Sequence, residues 1–341
     1  MTKAHYTSPT HKFVTHAQSF PLSTTAEHWQ LQDCITCPEQ RHEVYSLNNH
    51  YVQCYNTKIR QTSVVSHKLS YNAVGLNVGY GYIVTSGEQG ELSLYNTRTG
   101  RHKNTLAGKL INNCVTFNPN PLYLTPEQRR SANPHLLVCS NDKTVRIFSL
   151  PDLKPMHGIT FDEAINCASV SPDGRKLVTV SDSEVVQLFD IRNSTYEPAL
   201  TFRSNHGAAY SCNWNMLSNT FAVATNYGYV DVWDIRSTKK LHQVASTQHP
   251  GKEGSCRVVK FAPSYVADML VFSEQSNFVN VVDTRTFGEV QRIPVTDRGH
   301  KITGFTFSPE GSELYVGLAN RLLQFDVDLR SRCCFGSASY T

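Results

Sequence analysis

The chain has 341 residues, of which 40% are hydrophobic and 18% charged, and its formal net charge is +4 at pH 7. This length and hydrophobic content allow a sizeable core, in one large domain or two ordinary ones. The basic residues are not clustered, which disfavours a nucleic-acid-binding protein, and no apolar run approaches the ~20 residues of a membrane-spanning helix.

Residues 1–20 lack the apolar stretch of a signal peptide, so we expect a location in the cytoplasm, the nucleus or both. The ten cysteines are then expected to be reduced thiols. Cys34 and Cys37 have the spacing of metal ligands, but a zinc site needs about four ligands and no second such pair follows. The sequence therefore favours buried thiols, with no metal and no cofactor.

A strand-like pattern recurs seven times along the chain, and each copy ends in a large residue followed by a mostly polar one. In the copy YVDVWD (229–234), Val230 and Val232 alternate with Asp231, as expected for a strand with two different faces. The large residues, which we call anchors, are Tyr55, Tyr95, Phe148, Phe189, Trp233, Val282 and Phe325. Their spacings lie between 40 and 44 except for 53 and 49, which predicts insertions near 117–137 and 243–257.

A second marker recurs in register with the anchors. Ahead of each anchor lies a run with apolar residues two apart, often ending in proline. The seven runs are CITCP (34–38), LNVGY (76–80), VTFNP (115–119), ASVSP (168–172), CNWNM (212–216), VKFAP (259–263) and FTFSP (305–309). Each unit then consists of three strands separated by turns such as PDG and PEG. No helical periodicity extends over three turns, so the sequence predicts an all-β chain.

This repeat resembles the WD repeat, which has ~40–45 residues and four strands per unit. The segment GHKITGFTFSPEGSELYVGLANRLLQFD (299–326) is similar to the family pattern, including its initial Gly-His, although Trp233-Asp234 is the only true Trp-Asp anchor. The resemblance implies a seven-bladed β-propeller of four-stranded antiparallel blades. It also implies that His206 and His300 join hydrogen-bond chains that run through their blades to the anchor aromatic residue.

A closed ring needs one terminus to complete a blade begun at the other. Residues 11–20 and 331–340 compete for that role, and we favour the first. The expected organisation is an N-terminal arm at 1–27 that can include the closing strand, a propeller at 28–330, and a tail or outer strand at 331–341.

Arginines follow several anchors at a constant offset. Arg192 in FDIR and Arg236 in WDIR lie three residues after consecutive anchors, and Arg98 and Arg285 have the same offset. Tandem WDxR units resemble those of substrate receptors that dock on the propeller adaptor of a cullin–RING ubiquitin ligase. Arg192 and Arg236 are therefore candidate docking residues, and the alternative is a solvated arginine paired with a neighbouring carboxylate.

A second candidate site lies on the opposite rim, where the residues just before the inner strands should surround the mouth of the channel. Register assigns Asn72, Asn113, Asn166, Tyr210, Arg257 and Thr303 to these positions. If the propeller binds a peptide there, Tyr210 and Arg257 are the expected anchors of binding, because Tyr and Arg are enriched in binding hot spots. The asparagines would pair with the peptide backbone. The alternative is a polar rim without a ligand.

Three functions remain open. The favoured one is a non-catalytic protein-interaction scaffold or adaptor within a multiprotein complex. The second is a substrate receptor of a cullin–RING ligase, and the third is an enzyme or small-molecule binder that uses the channel. No phosphate-binding loop, nucleophile elbow or HExxH motif supports catalysis, so we expect no enzymatic activity.

Overall fold

In a computed structural model of the chain, the described residues form seven antiparallel sheets of four strands each. The structure describes residues 8–9, 11–28, 30–118, 134–192, 195–247, 254–264, 267–296 and 301–330. The sheets are the blades of a seven-bladed β-propeller, which confirms the predicted fold.

The strands are numbered here β1 to β28, and blades one to six each contain four strands that are consecutive in the chain. Blade one contains β2 (Ile35–Thr36), β3 (Glu43–Asn48), β4 (Tyr51–Asn56) and β5 (Gln61–Val64). Blade two contains β6 (Ala73–Gly79), β7 (Tyr82–Gly87), β8 (Glu91–Asn96) and β9 (His102–Leu106). Blade three contains β10 (Asn112–Asn118), β11 (His135–Ser140), β12 (Thr144–Ser149) and β13 (Lys154–Thr160). Blade four contains β14 (Ile165–Val170), β15 (Lys176–Ser181), β16 (Val185–Arg192) and β17 (Thr195–Arg203).

The last three blades follow the same order. Blade five contains β18 (Ala209–Trp214), β19 (Thr220–Thr225), β20 (Tyr229–Asp234) and β21 (Lys240–Ala245). Blade six contains β22 (Cys256–Phe261), β23 (Met269–Glu274), β24 (Phe278–Asp283) and β25 (Val290–Pro294). Blade seven contains β26 (Ile302–Phe307), β27 (Glu313–Leu318), β28 (Arg321–Val327) and, from the other end of the described chain, β1 (Val14–Phe20).

The anchor residues all lie in the third strand of a blade and pack inward. Six of the seven are buried, and Tyr95 is half-buried. Trp233 shows how this position is filled, because its indole lies against the rings of Phe202 and Phe221 with centroid distances of 5.7 and 5.4 Å. A large apolar side chain is required here because it joins the sheets of neighbouring blades in one core.

Two of the predicted turns contain a glycine that the backbone requires. Gly174 in PDG and Gly311 in PEG have φ values of 71° and 76°, in the left-handed region that side chains with a Cβ rarely adopt. These turns connect the first and second strands of blades four and seven, as the sequence predicted.

The N-terminal segment closes the ring, as favoured from the sequence. β1 pairs antiparallel with β28 and becomes the outer strand of blade seven. Phe20 at its end is buried and packs on Tyr55 of blade one, with a centroid distance of 5.4 Å. The strand therefore also joins the first blade to the last. The boundaries 1–27, 28–330 and 331–341 stay a prediction.

The two rims of the ring differ in the segments they present. Within a blade the first and third strands run in the same direction, because neighbouring strands are antiparallel. One rim therefore carries the starts of the first strands and the linkers between blades, and we call it the mouth face. The other carries the ends of the third strands, and we call it the arginine face because Arg192 and Arg236 lie there.

Some predicted features fall outside the described residues. These are His300, most of the insertion at 117–137, the centre of the insertion at 243–257, and the tail at 331–341.

Candidate protein-interaction site

The inner strands surround a central channel of about 460 Å³, which is lined by residues of all seven blades. Its wall is mixed in character, with apolar residues such as Val74 and Val115 beside asparagines and charged groups. A mixed concave site of this size can accept a short polypeptide segment or a small molecule.

Five of the six predicted rim residues occupy one repeated structural position. In blades three to seven a β-bulge interrupts the pairing of the first two strands directly after the strand begins. The residues at these bulges are Asn113, Asn166, Tyr210, Arg257 and Thr303. A bulge turns one side chain away from the regular alternation of the strand, so these residues share a setting at the mouth face.

The register predicted for Asn72 is wrong by two residues. The corresponding bulge in blade two falls between Ala73 and Gly75, so Val74 holds the position. Asn72 precedes β6 and is exposed. Val74 contributes an apolar side chain to the channel wall where an amide was expected.

The two asparagines connect adjacent blades. The Nδ2 of Asn113 donates to the Ile165 carbonyl at 2.9 Å, and the Nδ2 of Asn166 donates to the Ala209 carbonyl, also at 2.9 Å. Each amide thereby reaches the residue before the bulge of the next blade. These amide hydrogens are already used within the ring, which favours a structural role over the predicted pairing with a peptide backbone.

Thr303 likewise contributes to the contact between neighbouring blades. It is buried, and its carbonyl accepts a hydrogen bond from the Cys34 N–H at 2.9 Å. This bond links the first strand of blade seven to the segment that leads into blade one.

Tyr210 and Arg257 form a distinct pair at the mouth. The guanidinium carbon of Arg257 lies 4.4 Å from the centroid of the Tyr210 ring, which is a cation–π contact. The Nε of Arg257 donates to Gln275, and the amide of Gln30 donates to the Tyr210 hydroxyl at 3.3 Å. Burial lowers the pKa of Arg257, and Tyr210 opposes that shift. The pair places a cation on an aromatic face inside the channel.

A second cation inside the channel was missed by the sequence reasoning. The Nζ of Lys260 lies 2.7 Å from the Asp33 carboxylate and donates to the Phe305 carbonyl at 2.8 Å. Burial raises the pKa of Asp33, and Lys260 opposes the shift. The alternation in VVKFAP places Lys260 opposite the apolar face of its strand, and that signal could have assigned it to the channel.

The cysteines of the CxxC pair are buried, as the sequence predicted. Burial raises the pKa of Cys34 to about 12 and also raises the pKa of Cys37. A thiol must lose its proton to bind a metal, so a metal at this pair would have to displace both protons. Within the described ranges, no group of three or more His, Cys, Asp or Glu residues could hold a metal ion.

Arg192 and Arg236 are both largely exposed on the arginine face, with side-chain accessibilities of 70% and 78%. Arg236 forms a two-pronged contact with Asp234, with Nε–Oδ1 and Nη2–Oδ2 distances of 2.8 and 2.5 Å. Arg192 contacts Asp190 at 3.3 Å. The hydrogen bond from Arg236 lowers the pKa of Asp234. Both arginines thus pair with the residue that follows their anchor and remain accessible to solvent.

His206 takes part in a network of polar contacts that leads through blade five toward the anchor residue. Its ring contacts Gln243, and Gln243 donates to the buried Asp231 at 2.7 Å. Lys240 also binds Asp231, and its Nζ lies 5.6 Å from the Trp233 ring centroid. The chain of contacts therefore reaches the anchor through a lysine.

A known repeat family matches two segments of this chain. The family model described as "WD domain, G-beta repeat" matches residues 101–149 and 155–190. Each matched segment begins near the outer strand of one blade and ends in the third strand of the next. The chain is a WD-repeat β-propeller. A model described as "Uncharacterised protein domain (DUF2415)" matches residues 254–294 of the propeller, which include blade six.

Similar proteins extend the comparison over the whole propeller. An uncharacterized protein of Schizosaccharomyces pombe is 27% identical over 332 residues, covering 93% of this chain and 92% of its own length. Pre-mRNA-processing factor 19 of Dictyostelium discoideum is 22% identical and covers 66% of this chain, which spans 42% of that protein. The WD-repeat propeller also superposes on a chain of a crystal structure of the mitotic checkpoint complex. Their TM-score is 0.74 at 13% identity, with 96% and 97% of the two chains covered.

One further observation concerns membranes. Over the part of the WD-repeat propeller that the structure describes, no helix has both the length and the apolar character to cross a bilayer.

Proposed function

We propose that the protein is a non-catalytic interaction scaffold or adaptor within a multiprotein complex, and that it binds a peptide segment of a partner at the mouth of its channel. The observation that carries this proposal is the pair of Tyr210 and Arg257 in a concave site, where the guanidinium carbon lies 4.4 Å from the centroid of the tyrosine ring. The WD-repeat fold, which commonly serves protein interaction, fits such a role.

Burial and chemistry support this pair as the centre of binding. Tyr210 and Arg257 are both less than a tenth exposed, so a partner segment would meet them in a setting already removed from bulk water. Hot spots are enriched in Tyr and Arg in desolvated pockets. A carboxylate or backbone carbonyl of the peptide would accept hydrogen bonds from the guanidinium, because Arg only donates hydrogen bonds.

One of the similar structures supports action within an assembly in a general way, because its title describes a mitotic checkpoint complex. We propose by analogy that this chain also acts within an assembly, in the cytoplasm, the nucleus or both.

A site-specific crosslink tests the proposal. Tyr210 is replaced by azidophenylalanine, which keeps the ring and exchanges the hydroxyl for a photoreactive azide, and the same exchange at Tyr80 is the control. Tyr80 is exposed in a turn between a first and a second strand, on the opposite face. We expect light-dependent crosslinks to a defined partner from position 210 and not from position 80. Equal or absent crosslinking from both, at unchanged melting temperature, contradicts a channel-mouth site.

A second candidate is a substrate receptor of a cullin–RING ligase, and the accessible pair Arg192 and Arg236 favours it. They project from neighbouring blades on one face, as a two-point contact requires. The double variant Arg192→Glu, Arg236→Glu should lose a ligase adaptor from purified complexes while keeping its melting temperature. Retention of the adaptor by that variant contradicts this candidate.

A further inference from the structure

An open groove lies on the side of the propeller between blades two and three. It has a volume of about 990 Å³ and is bounded by the end of β9, the linker at 107–110, and the outer strand β13. Leu106, Leu110 and Met156 line it and are 67%, 49% and 47% exposed. Three large apolar side chains thus face solvent around one concavity, where burial of each by a partner would be favourable.

The preceding blade boundary shows how such a space is filled elsewhere in the ring. There the linker residue His67 lies against His102 of the next outer strand, with ring centroids 4.1 Å apart. In the groove, the linker at 107–110 and the outer strand β13 carry aliphatic residues and glycine where the preceding boundary has two histidines. Gly158 of β13 lines it, and a Cβ added there meets nothing within 4 Å. The space in front of β13 is therefore open to a ligand.

The charges around the groove select the kind of ligand. Arg146 in the groove is paired with Asp142 through two contacts of 3.0 and 2.7 Å, so these two charges offset each other. Lys109 lines the groove. Lys103 and Lys154 precede its lining residues along β9 and β13, and the Nζ of Lys103 donates to the main-chain carbonyl of Asp152. The surroundings are net positive, which complements an acidic ligand.

The shape favours an extended chain. β13 is the outermost strand of blade three and pairs on one side only, with β12. Such an edge can offer backbone groups to an added strand, while apolar pockets receive alternate side chains. An extended peptide would use both the edge and the apolar wall.

We propose that this groove docks an extended segment of a partner protein that carries two or three large apolar side chains flanked by Asp or Glu. The site is separate from the channel mouth, since none of its lining residues lines the channel. One scaffold could therefore hold two segments at once.

The test uses a phage-displayed library of random linear peptides, selected on the wild-type chain alone, and the binding of the selected peptides to wild type is compared with their binding to Gly158→Trp. That substitution fills the groove without meeting a neighbour at the Cβ. The matched control is Gly288→Trp, at an exposed glycine of blade six whose added Cβ meets only Thr286, at 3.6 Å. Affinities of the selected peptides, made synthetically, are then measured by fluorescence anisotropy.

We expect the selected peptides to be acidic with large apolar residues. Their affinity should fall at least about tenfold with Gly158→Trp, fall also with Lys109→Glu, and stay unchanged with Gly288→Trp. Peptides that bind Gly158→Trp as well as wild type, or a failure to enrich any peptide, overturn the proposal. A dimer of the chain that Gly158→Trp dissociates in light-scattering measurements also overturns it, since the occupant is then a second copy.

Discussion

Blade five buries a charged pair whose contribution to stability can be measured. The Asp231 side chain is 0% exposed, and its Oδ1 accepts hydrogen bonds from the Nζ of Lys240 at 2.9 Å and the Nε2 of Gln243 at 2.7 Å. The substitution Lys240→Met keeps much of the length of the side chain and removes its charge. It leaves the carboxylate buried without its cation.

The expected loss follows from that burial. Removing one partner of a buried ion pair typically costs about 3–5 kcal/mol. Lys240 itself is 23% exposed, so solvent already screens part of the pair, and we expect a loss near the lower end, about 3 kcal/mol. The double variant Asp231→Asn, Lys240→Met removes both charges and keeps an oxygen for Gln243. We expect it to recover roughly 2 kcal/mol of that loss.

The loss should also depend on pH. Burial raises the pKa of Asp231 above 3.8, and Lys240 opposes this shift, so Lys240→Met raises the pKa further. A carboxyl group with a raised pKa binds its proton more tightly in the folded state, so its contribution to stability decreases as pH rises through the folded pKa. The destabilisation of Lys240→Met relative to wild type should therefore be larger at pH 8 than at pH 5.

Urea denaturation at the two pH values provides the assay, followed by the fluorescence of the buried Trp214 and Trp233. The double variant serves as the control, because Asn does not titrate. A Lys240→Met variant that is as unstable as the double variant, or equally destabilised at both pH values, would refute this account of the pair.

Three further predictions concern the core and the thiols. Trp233→Ala should cost about 3–5 kcal/mol in unfolding free energy and Trp233→Phe roughly 1–2 kcal/mol, because phenylalanine fills the same position in other blades; equal losses would contradict the anchor role. Phe20→Ala should cost about 3 kcal/mol, because that residue joins β1 to blade one, and a loss no larger than that of the exposed Thr15→Ala would contradict ring closure by β1. Cys34 and Cys54, whose pKa values burial raises to about 12, should resist iodoacetamide at pH 8 until the protein unfolds; rapid labelling of the native protein, detected by mass spectrometry, would show otherwise.

The repeat was predictable because its signals are local. Each anchor ends a strand with alternating apolar residues, and one large side chain per blade is needed to join neighbouring sheets. The closing strand was only favoured from the sequence, since its choice depends on contacts such as that between Phe20 and Tyr55, which no periodicity reveals.

The rim could be predicted only in part. Asn113 and Asn166 were found because they directly precede a regular apolar alternation, but their bonds to the next blade depend on how the sheets stack. Asn72 was misassigned because it lies four residues before its apolar run, whereas Asn113 and Asn166 lie two residues before theirs; the same offset in blade two gives Val74, where the bulge falls.

Contacts between distant segments were beyond local reasoning. Asp33 and Lys260 are separated by 227 residues and meet only because the ring closes. The side groove likewise exists only where the linker after β9 lies beside β13.

The central claim is that the protein is a scaffold whose channel mouth holds a partner through Arg257. The most direct measurement is quantitative affinity purification with mass spectrometry from native cells. It would use wild type, Arg257→Gln, and the double variant Arg192→Glu, Arg236→Glu, all shown to have equal melting temperatures. We predict that Arg257→Gln loses a defined partner that wild type and the double variant both retain. Loss of a ligase adaptor from the double variant, with an unchanged set of partners for Arg257→Gln, would contradict it.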